Sequence, residues 1–225
     1  MLLPRKGLSA SRPCDSIGGV KNDKAQKKII EAAITCIERE GLHKVTIRGI
    51  GREAGVNSAA ISYYFRSKEK LIAEALKVTL INAFGDWEVL LGQGDIDLRD
   101  RLRRVLKEVL EGSLRFPGIV KAHLQETFLN GAFRTPFIGR LNSFLASISR
   151  EMRKSSPARS AQETGSIVVQ MFSSVLLPGI MPQLFGKGAG IDLSNLKTRS
   201  AYVDGVIECF FGDLPRKPQP SKGLP

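Results

Sequence analysis

Arg48, Arg52, Ser58, Ser62, Tyr63 and Tyr64 crowd guanidinium groups, hydroxyls and phenols into one short stretch. Such side chains bond phosphate oxygens and base edges, and Arg to guanine is the commonest specific pairing. The spacing gives them a common platform. Thr46 can cap a short helix that runs to Ala54, and Gly55 supplies a left-handed turn residue. Asn57 can cap a second helix, Ser58 to Phe65. Ile47, Ile50, Val56, Ile61 and Phe65 make a small core, which leaves Arg48, Arg52, Ser58, Ala59, Ser62, Tyr63 and Tyr64 outward. Residues 46–65 therefore read as a helix-turn-helix, a unit that lays its second helix in a major groove. From geometry alone an ordinary helical hairpin reads the same. Arg48 and Arg52 are then solvated charges, and Tyr63 is a core ring with only its hydroxyl in water.

Charge separates the two readings. The chain holds 34 Lys and Arg against 22 Asp and Glu, a formal charge of +12. Residues 1–70 carry 14 basic and 7 acidic side chains, and the other 155 residues carry 20 and 15. More than half of the excess thus sits in under a third of the chain, an asymmetry that phosphate attraction exploits.

The elements around this unit are all helical. At 225 residues, 42% hydrophobic and 25% charged, the chain reads as one large globular domain or two small ones, which excludes a rod, collagen or wholesale disorder. Asp23 with Gln26 resembles a capping box that opens a helix ending at Gly41. Ser67 can cap a long helix whose apolar stripe runs Ile72, Leu76, Leu80, Ala83, Phe84, Trp87, Leu91. Asp97 opens an amphipathic helix with Leu98, Leu102, Val105, Leu106, Val109 and Leu110 on one face and Arg99, Arg103, Lys107 and Glu111 mostly opposite. Pro117 ends it, and a shorter helix covers about Ile119 to Leu129. Thr135-Pro136 and Ser156-Pro157 open helices near 136–154 and 157–176. Gly186 to Gly190 reads as a loop, and a last helix covers Asn195 to Phe211. No segment alternates with strand period, so the expectation is all-α with about nine helices.

Residues 1–22 read as a flexible basic arm, and residues 213–225, with four prolines, as a disordered tail. Arg5, Lys6, Arg12 and Lys21 either enter a minor groove or belong to a plain tail. Cys14, Cys36 and Cys209 are odd in number and far apart, which argues for a reducing compartment and against a disulfide framework. His43 and His123 lie far from any cysteine cluster, so no metal site is expected. There is no signal-peptide core, and polar residues and prolines interrupt the apolar stretch from Ile167 to Phe185. The expected location is cytoplasmic, with no membrane span.

The stretch from Thr46 to Leu71 resembles the TetR family of bacterial transcriptional repressors. Its signature is Thr46, Ile50, Ala54-Gly55-Val56, Tyr63, Phe65, Ser67, Lys68, Glu69 and Leu71. The likeness covers about residues 24–72; beyond them only helix count and length agree. It implies that Thr46 and Lys68 bind phosphate and that Arg48 reaches a base edge or phosphate. Ser58, Ala59 and Ser62 would face bases, and Tyr63 and Tyr64 would donate hydroxyls to the backbone. Asn57 and Ala60 complete the implied DNA-binding set. Ala60 stands where a hydroxyl is common, Tyr64 where His is common, and Gly51 where Ala is usual. Gly49 and Gly51 each cost about 1 kcal/mol of helix propensity, so a loose second helix is expected.

The resemblance also implies that the second half, residues 71–212, binds a small-molecule effector and forms the dimer, with residues 23–70 as the DNA-binding domain. The apolar surplus in Ile167–Phe185 and in the last helix fits a homodimer through the last two helices, or else a deep monomer core. Candidate effector contacts are Trp87, His123, Gln125, Glu126, Phe128, Phe144 and Met171, with Phe116, Phe133, Phe137 and Met152 as further lining. Aromatic and Met stripes are commonly core, and His123 also reads as a satisfied core histidine. The implied function is a dimeric repressor on a pseudo-palindromic double-stranded operator, released by an effector of unstated identity. An architectural DNA-binding protein without effector is the alternative. No nucleophile elbow, phosphate loop or dinucleotide fingerprint is present, so no catalytic residue and no cofactor are expected.

Overall fold

A computed structural model describes residues 19–211. All regular secondary structure among the described residues is helical: α1 Gly19–Glu40, α2 Ile47–Ala54, α3 Ser58–Phe65, α4 Lys68–Leu91, α5 Leu98–Arg115, α6 Pro117–Asn130, α7 Pro136–Ser155, α8 Ala161–Ile180, α9 Pro182–Ala189 and α10 Leu196–Phe211. Most boundaries follow local chemistry. Thr46, Asn57, Ser67, Asp97, Thr135 and Ser160 each accept a hydrogen bond from a first-turn amide of the helix they precede. Each such cap contributes about 1 kcal/mol.

Two apolar cores organise the helices. The first gathers Ile29, Ala33 and Ile37 of α1, Ile50 and Ala54 of α2, Ile61 and Phe65 of α3, and Leu71 and Ala75 of α4. Ile119 and Ala122 of α6 join it from the second half. The second core stacks α5 against α8 and α10, with α4 and α7 closing the side. Leu102, Val105, Leu106, Val109 and Leu110 of α5 lie at its centre, fully buried. Because α4 enters both cores, it ties the small N-terminal unit to the larger bundle.

Three expectations need correction. Asp23 lies inside α1, which is already helical at Gly19, so the expected cap and the last residues of the expected arm are helix. The eighth helix starts at Ala161 rather than 157. Ser160 and Glu163 form a reciprocal capping box there, and they satisfy two amides where the Ser156-Pro157 pair offers none. Gly186–Gly190 is not a loop: Pro182 starts α9 at its first turn, and the helix ends at Gly190, whose φ is +66°. Beyond these expectations, the polar face of α5 meets α10. Arg103 Nε donates to Asp204 (2.9 Å), Lys107 lies 3.9 Å from the same carboxylate, and Arg99 pairs with Glu208, so α10 packs on a ladder of ion pairs. The remainder of the expected arm and the tail from 213 lie outside the described residues.

Candidate nucleic-acid interface

The helix-turn-helix is built from its turn outward. Gly55 ends α2 with φ +64° and ψ +35°, a backbone that glycine adopts without strain. Val56 N–H then donates to Gly51 O at 2.9 Å. A Cβ at Gly51 would lie 2.8 Å from the Val56 carbonyl oxygen. The glycine that sequence reasoning marked as a weakness therefore has a packing reason: the turn closes directly on its backbone. Ile50, Ala54, Ile61 and Phe65 point into the core and set the angle between the two helices. Across the unit, the Arg39 guanidinium of α1 donates to Glu53 of α2 and to Glu40, each at 2.8 Å. Exposed pairs of this kind are screened by water and contribute little.

Polar and small side chains remain outside. Ser58, Ala59, Ser62 and Tyr63 are exposed on α3, and Ile61 and Phe65 are buried opposite. Tyr63 is 77% exposed, so its ring is not part of the core. It stands edge-on to Tyr64, centroids 5.3 Å apart, and Tyr64 in turn leans on Phe65. Thr46 and Arg48 are exposed at the start of α2, and Lys68 is half-buried at the start of α4. Thr46 Oγ1 accepts from Gly49 N–H at 3.0 Å, which uses the oxygen and leaves the hydroxyl proton free to donate outward. Asn57 Oδ1 accepts from Ala60 N–H at 2.8 Å, so Asn57 fixes the start of α3 and keeps its amide NH2 for a ligand. Ala60 is half-buried and offers only its methyl group. All ten sequence-derived residues are exposed or half-buried on α2, α3, the start of α4 or the caps between them. The arrangement can present hydroxyl, amide and guanidinium donors, with the positive ends of short helices, to a polyanion.

The expected effector residues do not gather so well. Trp87, Phe144 and Met171 share one core. Trp87 lies 5.7 Å from Phe144, and Phe84 and Phe172 complete the aromatic cluster at 4.6 and 6.1 Å from Trp87. Met171 and Phe84 are fully buried, so this centre is packed. His123 sits beside it, stacked on Phe137 at 5.4 Å, with Nε2 2.9 Å from Thr79 Oγ1. The Thr79 hydroxyl also donates to Leu76 O at 2.8 Å. One hydroxyl proton cannot serve both partners, so His123 Nε2–H is the donor to Thr79. Burial lowers the imidazole pKa from 6.5 to about 4, which keeps the ring neutral. Gln125 is half-buried and Glu126 is exposed, bonded to Asn130. Phe128 stands 71% exposed at the end of α6, away from the cluster, because the last turn of α6 runs past the bundle; Phe133 is exposed beyond it. The open cleft of about 570 Å³ lies elsewhere, along Arg159, Ser160, Gln162, Glu163, Ser166 and Ile167. A smaller cavity of about 170 Å³ lies between α8 and α10, lined by Ser173, Leu177 and Tyr202 among others. Among the described residues no cluster of His, Cys, Asp or Glu could hold a metal ion, and no helix is long and apolar enough to cross a membrane.

Sequence reasoning missed the joint between the two units. The Glu38 carboxylate at the end of α1 accepts from Gly118 N–H (3.2 Å) and Ile119 N–H (2.9 Å), the opening amides of α6. Gly118 lets the helices approach: a Cβ there would lie 2.5 Å from Glu38 O. Nothing local in the sequence announces a contact across eighty residues.

Comparison with known proteins agrees with this geometry. Residues 29–75 match the family described as bacterial regulatory proteins, tetR family. The chain is similar to the HTH-type transcriptional regulator BetI of Escherichia coli O45:K1, 27% identical over 195 residues that cover 77% of this chain and 90% of that one. Its fold is similar to that of a TetR-family regulator from Rhodococcus sp., with TM-score 0.65 at 16% identity, covering 83% of this chain and 98% of that one. It is also similar to a regulator from Saccharomonospora viridis solved in complex with choline, with TM-score 0.62 at 22% identity, covering 83% and 96%.

Proposed function

The chain belongs to the TetR family of bacterial transcriptional regulators, and from that premise we propose that it is a dimeric, sequence-specific repressor released from its operator by a small molecule. The observation that carries the proposal is the exposed α3 face, with Ser58, Ala59, Ser62 and Tyr63 presented on a capped helix over a rigid core. Residues 23–70 act as the DNA-binding domain and residues 71–212 as the effector and dimer domain, with α4 common to both. Thr46, Tyr63, Tyr64 and Lys68 hold the phosphate backbone, Arg48 reaches a base edge or phosphate, and Ser58, Ala59 and Ser62 meet base edges.

The dimer forms through α8 and α10. Val169 and Leu177 are exposed on α8, and Ala201, Gly205 and Cys209 on α10, beside half-buried Tyr202, Val206 and Phe210. Paired helices of two protomers would make a four-helix interface and set two α3 helices about one DNA turn apart, about 34–36 Å. The effector enters between α4, α6, α7 and α8 at the half-buried face of Trp87. Because the aromatic centre is packed, binding must move a helix there. A ligand that prefers the moved state lowers operator affinity, and one that prefers the packed state raises it. An aromatic, uncharged centre attracts an organic cation through its ring faces. Choline, bound by the S. viridis protein, is therefore the first probe.

The test is fluorescence anisotropy on labelled duplex from upstream of the protein's own coding region, with salt titrated and Tyr63→Ala compared with the parent. Tight binding, a steep salt slope and loss in Tyr63→Ala are expected. Equal weak binding to a scrambled duplex favours the architectural reading, and no binding at low salt refutes both.

A further inference from the structure

We propose that Arg66 is a phosphate-binding residue of this interface, presented at the exit of α3 by a backbone turn that would suit glycine. The inference rests on the DNA-binding reading and adds to it a residue that the sequence motif does not contain.

Arg66 has φ +60° and ψ −36°, and among the described residues it is the one non-glycine with positive φ. Ser67 N–H donates to Phe65 O at 2.7 Å across it. That bond closes a three-residue turn of the rare, strained hand, in which side chains are disfavoured. A second unfavourable term acts on the same residue. Arg66 puts a guanidinium beside the N-terminus of α4, where the helix dipole opposes positive charge. Nothing in the fold offsets either term: Arg66 is exposed, and its guanidinium pairs with no carboxylate among the described residues. Glycine at this position would remove both.

Placement supplies the missing reason. Arg66 N–H still donates to Ser62 O at 2.9 Å, so its Cα takes the next helical position after the exposed row Ala59, Ser62, Tyr63. Lys68 follows two residues on, at the start of α4. A guanidinium there extends the donor row past the end of the recognition helix. At that point a helix lying in a groove meets the sugar-phosphate strand rather than base edges. Arg suits that task because its planar donors bind phosphate bidentately.

The experiment compares the full chain with Arg66→Gln, Arg66→Lys and Arg66→Gly. Melting temperature and binding to a labelled mixed-sequence duplex over a salt series are measured; phosphate contacts need no known operator. Arg66→Gln keeps the turn and removes the charge. It should melt no lower than the parent, since the charge that the α4 dipole opposes is gone, bind at least tenfold more weakly, and lower the salt slope by about 2 for a dimer, one phosphate per protomer. Arg66→Lys should retain the slope. Arg66→Gly should melt higher than the parent and bind as weakly as Arg66→Gln. Parent-like affinity and slope in Arg66→Gln overturn the proposal, and so does a lower melting temperature in Arg66→Gly. If the parent binds no duplex at low salt, the DNA-binding reading fails and this inference falls with it.

Discussion

Replacing Glu38 by glutamine removes one charge from the joint between α1 and α6 and keeps the side chain's size. In the parent the carboxylate accepts two backbone amides, at 3.2 and 2.9 Å, and neutralises the positive end of a fourteen-residue helix. A hydrogen bond to a charged group contributes about 1.5–3 kcal/mol, and the helix-terminus charge adds about 0.3–1 kcal/mol. Glutamine retains one oxygen acceptor and turns an NH2 toward the other amide, so about 2 kcal/mol should be lost. Glu38→Ala, which leaves both amides without a partner, should cost about 3 kcal/mol or more. At this chain length 1 kcal/mol moves the melting temperature by about 2–4 °C, so the glutamine variant should melt about 4–8 °C lower. Differential scanning calorimetry reads the shift, and hydrogen exchange locates it at the Gly118 and Ile119 amides. A glutamine variant that melts within a degree of the parent, with those amides exchanging no faster, would refute the reasoning. The tight α1–α6 approach at Gly118 would then be held by packing alone.

Two other perturbations test neighbouring parts of the account. Acid should weaken the fold through His123, whose pKa is lowered by burial to about 4 from 6.5. The unfolded chain then binds the proton more readily, so stability is intact above pH 6.5 and falls as pH drops toward about 4, by about 3 kcal/mol at most. His123→Gln, which still donates to Thr79, should lose less than the parent over that window in paired denaturant titrations, and equal losses would contradict the burial argument. Gly51→Ala should destabilise the chain by about 1 kcal/mol despite the better helix propensity, because the added Cβ lies 2.8 Å from Val56 O and the turn must shift. A higher melting temperature in that variant would show that the turn gives way at little cost.

The parts of the molecule that sequence reasoning reached are those set by neighbours in the chain. Thr46, Asn57 and Ser67 each cap the helix that follows them, and Gly55 turns where a positive φ is required. The exposed face of α3 follows from those boundaries and from the burial of Ile61 and Phe65. The errors come from two sources. One is competition between local signals: Ser160 with Glu163 prevails over Ser156 with Pro157, and Pro182 starts a helix that the glycines around it conceal. The other is tertiary pairing with no local trace. Arg99, Arg103 and Lys107 look like a solvated face until Asp204 and Glu208 of α10 are placed against them. Glu38 looks like one more helix-surface acid until α6 arrives above it. Phe128 reads as core by residue type but falls on the last, uncovered turn of α6.

As the dimeric repressor proposed above, the protein would read two half-sites with two copies of α3. Hydroxyl-radical footprinting of the upstream duplex, at a protein concentration that saturates the anisotropy signal, tests it most directly. Two protected patches are expected, related by a two-fold axis, centred about 34–36 Å apart on one face of the DNA, and both lost in Tyr63→Ala. Uniform protection along the duplex, or a single patch without a dyad, would contradict it.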